Sequence, residues 1–403
     1  MNHRKIIIAL AAVLCCLTSY SQHEANNSQC SSFITQLKEI EQNNTTLKAL
    51  RAEAEALKLN NHTGITLADP EVEYKRMWEG AEQTGNLSEF SIEQSFDLST
   101  VLGYKKRVAD SQNLLVEDEY RVVRMDILLE AHLACIDLVY YNALANELDR
   151  RLLHARRIVE IEKCRLDNGD TDVLSYNNVM LSLAALEAEK SRVATEQEVL
   201  ATNLARLNGG NPLKGIDGEF SALVLTGDFD SWYTEAIERN PELSLARAGR
   251  EVAKSELALS KSEHLPTLSA TYINERHTIG DRSQGVAVGM SLPLWANKNR
   301  VRSARATLHA AEAHEADAEQ QLRSQLRIGF ERVQGLQHTA TLYRTALSEA
   351  NNTELLQQAM NEGYISVLEY LQGIELYYEY LDRSLSAERD YQRALAELEA
   401  WKL

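Results

Sequence analysis

The residues best suited to chemistry in this chain are its ten histidines, five cysteines and sixteen tyrosines, and their spacing assembles few of them. His309 and His314 stand five apart. That spacing puts them on different faces of a helix rather than at the i,i+4 separation of a ligand pair, so they read as surface histidines. Tyr377, Tyr378 and Tyr380 follow a helical spacing that suits packing between helices. Cys15 and Cys16 lie in an apolar leader, which leaves Cys30, Cys135 and Cys164, an odd number and a poor disulfide framework. Cys135 and Cys164 fall on one predicted helix roughly 43 Å apart, far beyond the reach of a disulfide, and read as buried free thiols. There is no His-Glu-x-x-His, Gly-x-Gly-x-x-Gly, phosphate loop, Gly-x-Ser-x-Gly or Cys-x-x-Cys. The residues therefore predict no enzyme, no cofactor and no metal site.

Charge narrows the partners further. Residues 1–21 have the form of a secretory signal: Arg4 and Lys5 precede the apolar run Ile6 to Leu17, and Ser19-Tyr20-Ser21 offers a cleavage site. The apolar run is too short to span a bilayer. Cys15 follows Leu14 and Cys16 follows Cys15, which is not the small-residue context of a lipidation site. Loss of the leader takes the net charge from −17 to −19, which argues against nucleic acid or anionic lipid surfaces as partners. The chain is expected to be exported.

The elements alternate between two periods. Val286, Val288, Met290 and Leu292 share one face of a strand with Ala287, Gly289 and Ser291 on the other. After that strand comes a helical pattern from Asn297 to Asn361, broken by only two glycines, Gly329 and Gly335, and no proline. A helix of that length is about 100 Å long, too long for a globular core. Upstream, strands are predicted over about 71–78 and 89–97, followed by a long helix from Leu98 to Asp167. On the first, Val72, Tyr74 and Trp78 oppose Glu71, Glu73 and Lys75. On the second, Phe90, Ile92 and Phe96 oppose Ser91, Glu93, Ser95 and Asp97.

Sliding the chain on itself shows why the grammar recurs. Pro70 and Pro266 are 196 residues apart, and the same offset aligns Phe90, Ile92, Phe96 and Leu98 with Val286, Val288, Leu292 and Leu294, Leu47 with Leu243, and Arg51 with Arg247. This reads as an internal duplication. The first repeat spans residues 22–207, with helices over about 31–59 and up to Leu207. A glycine-rich segment at 208–230 follows, and the second repeat spans 231–403, with strands over about 266–276 and 285–292. In each repeat the two shorter helices together match the long one in length, as rods making a wall would. The fold class is mostly α with a small β part, built from a duplicated helix–strand–strand–long helix–helix unit.

Four strands cannot close a barrel, and in lipid an open sheet edge is prohibitive. Strands with one apolar side suit a bilayer if several chains pool them, and a trimer would supply twelve. Phe90, Ile92, Phe96, Val286, Val288 and Leu292 are then the lipid-facing residues.

Three further motifs carry a family resemblance. Asn240-Pro241-Glu242-Leu243 leads a helix, Leu265-Pro266-Thr267-Leu268 opens a strand, and Ser291-Leu292-Pro293-Leu294 passes into a helix. With the paired turns Asn168-Gly169…Asp172-Val173-Leu174 and Glu362-Gly363…Val367-Leu368, the chain resembles the TolC-type outer-membrane efflux proteins from about residue 31 to 401. The resemblance implies a homotrimer with a twelve-stranded barrel in outer-membrane lipid, continued by a helical barrel in the periplasm. It also implies a periplasmic adaptor (membrane fusion) protein and an inner-membrane transporter of the RND type as partners, with drugs or metal ions as cargo. It further places Thr171, Asp172, Tyr364 and Glu369 at the periplasmic gate, with three Glu369 carboxylates ringing the lumen. Ile365 stands where some relatives carry an arginine, and Gln372 replaces a second acid. The competing reading is a periplasmic coiled-coil scaffold or adaptor without a barrel, which would share the long helices but would need a β-rich domain of its own.

Overall fold

The computed structural model describes residues 33–78, 86–216, 219–220, 225, 227–277, 282–295, 297–350 and 352–403. The leader and Cys30 lie outside the described residues. In chain order the elements are α1 (33–43), α2 (Thr45–Asn61), β1 (Glu71–Met77), β2 (Leu87–Asp97), α3 (Leu98–Val101), α4 (Tyr104–Asn168), α5 (Val173–Leu207), α6 (Phe229–Arg239) and α7 (Pro241–Ser262). There follow β3 (Thr267–His277), β4 (Arg282–Ser291), α8 (Arg300–Glu349), α9 (Thr353–Asn361), α10 (Val367–Leu398) and a 3₁₀ turn at Ala400–Lys402.

The helices break where sequence periodicity runs straight through. A helix expected over 31–59 stops at Asn44, whose Oδ1 accepts the Leu47 N–H at 2.9 Å and starts α2. The helical stretch 229–262 likewise breaks at Asn240, whose Oδ1 accepts from the N–H groups of Glu242 and Leu243 at 2.9 and 3.1 Å to start α7. A short polar side chain that satisfies orphan N–H groups competes with continuing the helix, and Pro241 at the first helical position adds to that. The first long helix starts at Tyr104 rather than Leu98, because Gly103 takes φ 76°. The second ends at Glu349 and resumes at Thr353. At the 196-residue offset Gly103 falls on Asn299, the only non-glycine with positive φ (66°) among the described residues, and asparagine is the side chain that best tolerates that region.

The chain groups into two compact units that draw on both halves of the sequence. One comprises the chain up to Lys48, Arg124–Glu238 and Ser324–Leu403. Its core is a succession of small clusters along α4. Leu128, Ala131 and Cys135 pack with Leu37, Ile40, Leu204 and Leu207. Farther along, Tyr140, Leu144 and Leu148 pack with Val193, and then Ile158 with Val179, Tyr370 and Ile374. Buried Arg151 fastens α10 to α4: its guanidinium donates to both Asp382 oxygens at 2.7 and 3.0 Å and lies 4.3 Å over the Tyr378 ring. Charged partners on both hydrogen-bonded sides make such a buried cation tolerable.

The second unit comprises Ala49–Val123 and Arg239–Arg323, and it holds the sheet. Its four strands lie in the order β1-β2-β3-β4, each pair antiparallel. The two hairpins pair through β2 and β3, strands that the 196-residue offset does not superpose, so the outer edges of β1 and β4 have no strand beside them among the described residues. No helix among the described residues is long and apolar enough to cross a membrane.

Candidate functional site

The sheet sorts its side chains by parity. Even-numbered residues of all four strands occupy one face, since the register aligns Val72, Ile92, Tyr272 and Val286 in one row and Tyr74, Phe90, Asn274 and Gln284 in the next. Toward the helical end the rows Gln94–Ala270–Val288 and Phe96–Leu268–Met290 continue the same face. From the Phe90 row to the Met290 row is six residues, about 20 Å of strand, close to the apolar band of an outer-membrane barrel. This apolar face is open: Val286 is 76% and Val288 80% exposed. A soluble sheet would cover such residues. Exposed Trp78 follows β1 at the hairpin end and exposed Trp295 lies beyond β4 at the helical end. Tryptophans at both ends of an apolar band are where interfacial girdles place them.

The odd face is acidic. It carries Glu71 and Glu73 on β1, Glu89 and Glu93 on β2 and Glu275 on β3, with Lys75, which pairs with Glu73 at 2.8 Å. Between them stand small and hydroxylated residues, Ser91, Ser95, Ser269, Thr271, Gly285, Ala287 and Gly289. A Cβ built on Gly289 would come 2.6 Å from the Ser269 hydroxyl, so this cross-strand position is close-packed.

Two interhelical turns lie in the first unit. At the α4–α5 turn Gly169 takes φ 79°, and the Asp170 N–H reaches the Arg165 carbonyl at 2.8 Å, a Schellman closure. Asp172 then caps α5, its Oδ1 accepting the Ser175 N–H at 2.7 Å. Thr171 Oγ1 donates to Glu162 at 3.2 Å. Glu162, fully buried, accepts a second bond from Arg165 at 2.7 Å. At the α9–α10 turn Gly363 takes φ 77° and the Tyr364 N–H reaches the Ala359 carbonyl at 2.9 Å. Ser366 and Glu369 form a reciprocal capping box: Glu369 Oε2 accepts from the Ser366 N–H (2.8 Å) and Oγ (2.9 Å). Those two bonds hold the exposed Glu369 carboxyl below the usual glutamate range.

Residues 232–401 match the family model described as outer membrane efflux protein. Over that stretch the chain is similar to the outer membrane efflux proteins. Among curated proteins no sequence matches it at a significant level. Its fold is that of solved channels. CusC, whose crystal structures address folding and transmembrane channel formation, aligns with TM-score 0.73 and 13% identity over 92% of this chain and 91% of that one. The outer membrane protein VceC from Vibrio cholerae aligns at 0.67 and 16% over 92% and 94%. The open-state MtrE outer membrane channel of Neisseria gonorrhoeae aligns at 0.68 and 13% over 92% and 88%.

In this chain the six sequence-predicted barrel residues share one side. Phe90, Ile92, Phe96, Val286 and Val288 lie on the even face, with Phe96 only half-buried, and exposed Leu292 continues it one residue past β4. Sequence reasoning missed Leu268 and Tyr272 on β3, where apolar residues alternate less cleanly and only parity within a known register identifies them. Thr171, Asp172, Tyr364 and Glu369 all lie at the two turns, with Tyr364 79% exposed. Glu162, the buried carboxylate under Thr171, was also missed, because a lone glutamate on a helix gives no sequence signal of burial. Ile365, where a charged latch residue was looked for, packs instead beside Ile158, Val179 and Tyr370. The expectation that both helical thiols are buried is half right. Cys135 is buried, and desolvation pushes its thiol up to about 12. Cys164 is exposed, because the last turns of α4 bury little besides Glu162.

Proposed function

We propose that this chain is an outer membrane efflux protein, the exit duct of a tripartite pump that conducts drugs or metal ions passively to the exterior. The observation that carries the reading is the even face of the sheet, apolar from Phe90 to Met290 but for Gln94, Asn274 and Gln284, and uncovered, on a sheet whose two outer edges have no partner strand among the described residues. Backbone groups on an open edge cannot remain unpaired in lipid, so the strands must join those of other copies. Three copies supply a twelve-stranded barrel, the even face toward lipid and the acidic odd face toward water. The repeats 22–207 and 231–403 then each contribute one hairpin and one long-helix pair to every third of the assembly, with 208–230 between them. A periplasmic adaptor and an RND-type inner-membrane transporter would deliver cargo to the helical end. Thr171, Asp172, Tyr364 and Glu369 would lie at the periplasmic entrance, where three Glu369 carboxylates favour cations.

The test is assembly in native membranes. Cross-linking should give a ladder that stops at three subunits, in the outer-membrane fraction. A stable monomer with its strands intact would overturn the reading, and recovery of the chain in the soluble periplasm would favour the coiled-coil scaffold.

A further inference from the structure

The even face changes character at its hairpin end. The row beyond Tyr74–Phe90–Asn274–Gln284 reads Arg76, Ser88, Arg276 and Arg282 across the four strands. All three arginines are exposed. Arg276 and Arg282 are direct cross-strand partners, and like charges at that separation destabilise a sheet unless something neutralises them. Among the described residues of the strands no carboxylate shares their face, since every acidic residue there has odd parity. Among the described residues the ion pairs of the strands are Lys75–Glu73 and Lys105–Asp97, and neither involves the row. The contacts the arginines do make are weak: Arg282 Nε donates to Asn274 Oδ1 at 3.3 Å, and the Arg76 guanidinium lies 5.9 Å from the Trp78 ring.

The geometry points to this row, a local cluster of cations on an otherwise acidic chain, as a binding site for the phosphate groups of a lipid in the surrounding leaflet. The inference rests on the barrel reading, which turns the even face toward lipid and its hairpin end away from the helices. The acyl chains would lie along Val286, Val288, Tyr272 and Phe90, and the headgroup would then meet the arginines at the interface. Adjacent strands are about 4.8 Å apart, so the Arg76, Arg276 and Arg282 forks can converge on one or two phosphates, with the Ser88 hydroxyl between them as a further donor. Arginine suits this because its planar fork binds phosphate oxygens bidentately and is weakly hydrated. The interfacial position adds the aromatic Trp78 beside Arg76. A lipid with two phosphates matches three cations better than a zwitterionic one, whose own ammonium competes.

The experiment uses the full-length protein in phosphatidylcholine nanodiscs doped with either bisphosphorylated lipid A or its dephosphorylated form, and bound lipid A is measured by mass spectrometry after affinity purification. The wild-type protein should retain the phosphorylated form in clear excess. Each neutralised arginine should lower that excess by about fivefold. Arg276→Gln should therefore lower it alone, Arg76→Gln/Arg276→Gln/Arg282→Gln should abolish it, and Lys75→Gln, on the opposite face, should leave it intact. The single variants keep the test valid should the triple variant fail to fold. Equal retention of the two lipids by wild-type protein would mean that the row is neutralised within the protein, and would overturn the inference. Displacement by millimolar inorganic phosphate would reassign the row to a soluble anion and overturn the lipid assignment. An environment-sensitive label at Val288→Cys separates the two levels: a label in water removes the barrel reading and this inference with it, whereas a label in the bilayer without lipid preference removes this inference alone.

Discussion

The turn between α4 and α5 and the turn between α9 and α10 close their helices with the same backbone device, an αL glycine and a bond from the next N–H back to a carbonyl five residues earlier. Their side chains hold them differently. At the first, Thr171 and Arg165 both bind Glu162, a buried carboxylate on the preceding helix, so the turn is tied back into α4. At the second, Ser366 and Glu369 bind each other at the start of α10, and the tie to α4 and α5 is apolar, through Ile365 and Tyr370 beside Ile158 and Val179. The helix before the second turn is also the interrupted one, stopping at Glu349 and resuming at Thr353. Two turns of the same backbone geometry can thus be anchored differently, one by a polar tie to a buried carboxylate and the other by apolar packing.

The sharpest way to break this comparison is at the buried carboxylate. Arg165→Ala leaves Glu162 buried with only Thr171 beside it, and should cost about 2–3 kcal/mol, below the full penalty for a buried pair because Arg165 is partly exposed. Thermal unfolding, together with hydrogen exchange of residues 160–176, should show the loss concentrated at the first turn. Unchanged protection there would mean that the tie does not hold the turn.

Next in size is the local cap. Ser366→Ala removes one side of the capping box and should cost about 1 kcal/mol, confined to the first turns of α10. Spread of that loss into α4 would show that the two turns are held alike after all.

The strand-to-helix junctions offer a second pair of duplicated positions. Gly103→Ala puts a Cβ at φ 76° and should destabilise by about 1 kcal/mol, while Asn299→Gly at φ 66° should be neutral or slightly stabilising, as read from denaturant midpoints. Equal losses at both would mean that asparagine contributes more than tolerance of the backbone.

The smallest effect concerns pH at the second cap. The Glu369 carboxyl is held below its ordinary value of 4.5 by its bonds from Ser366, so the contribution is complete above that value and is lost as pH falls through the lowered one. Amide-exchange protection in the first turn of α10 should therefore fall as the pH drops below 4.5 in wild-type protein and not in Glu369→Gln, whose amide keeps a capping partner but has no charge to lose. The same variant tests the entrance: single-channel cation preference should fall in Glu369→Gln and not in Glu331→Gln, a position paired with Arg327 within α8.

The sequence alone determined what is local or periodic. Strand alternation placed Phe90, Ile92, Val286 and Val288 on one side, an apolar stripe that survives any register of even shift. The constant offset exposed the duplication, and glycines followed by short polar residues marked both turns, because φ > 0 and N-capping are demands a single residue type answers. The helix breaks at Asn44, Gly103 and Asn240 were written in the same alphabet but were outweighed by the hydrophobic period around them. What only the tertiary structure decided depends on residues distant in the chain. Arg76 and Arg282 stand 206 positions apart and become one row only when β1, β2, β3 and β4 take their register. Glu162 becomes a buried anchor only when Arg165 and Thr171 fold over it. Periodicity states which face a side chain takes; the pairing of strands and the packing of helices state what it meets there.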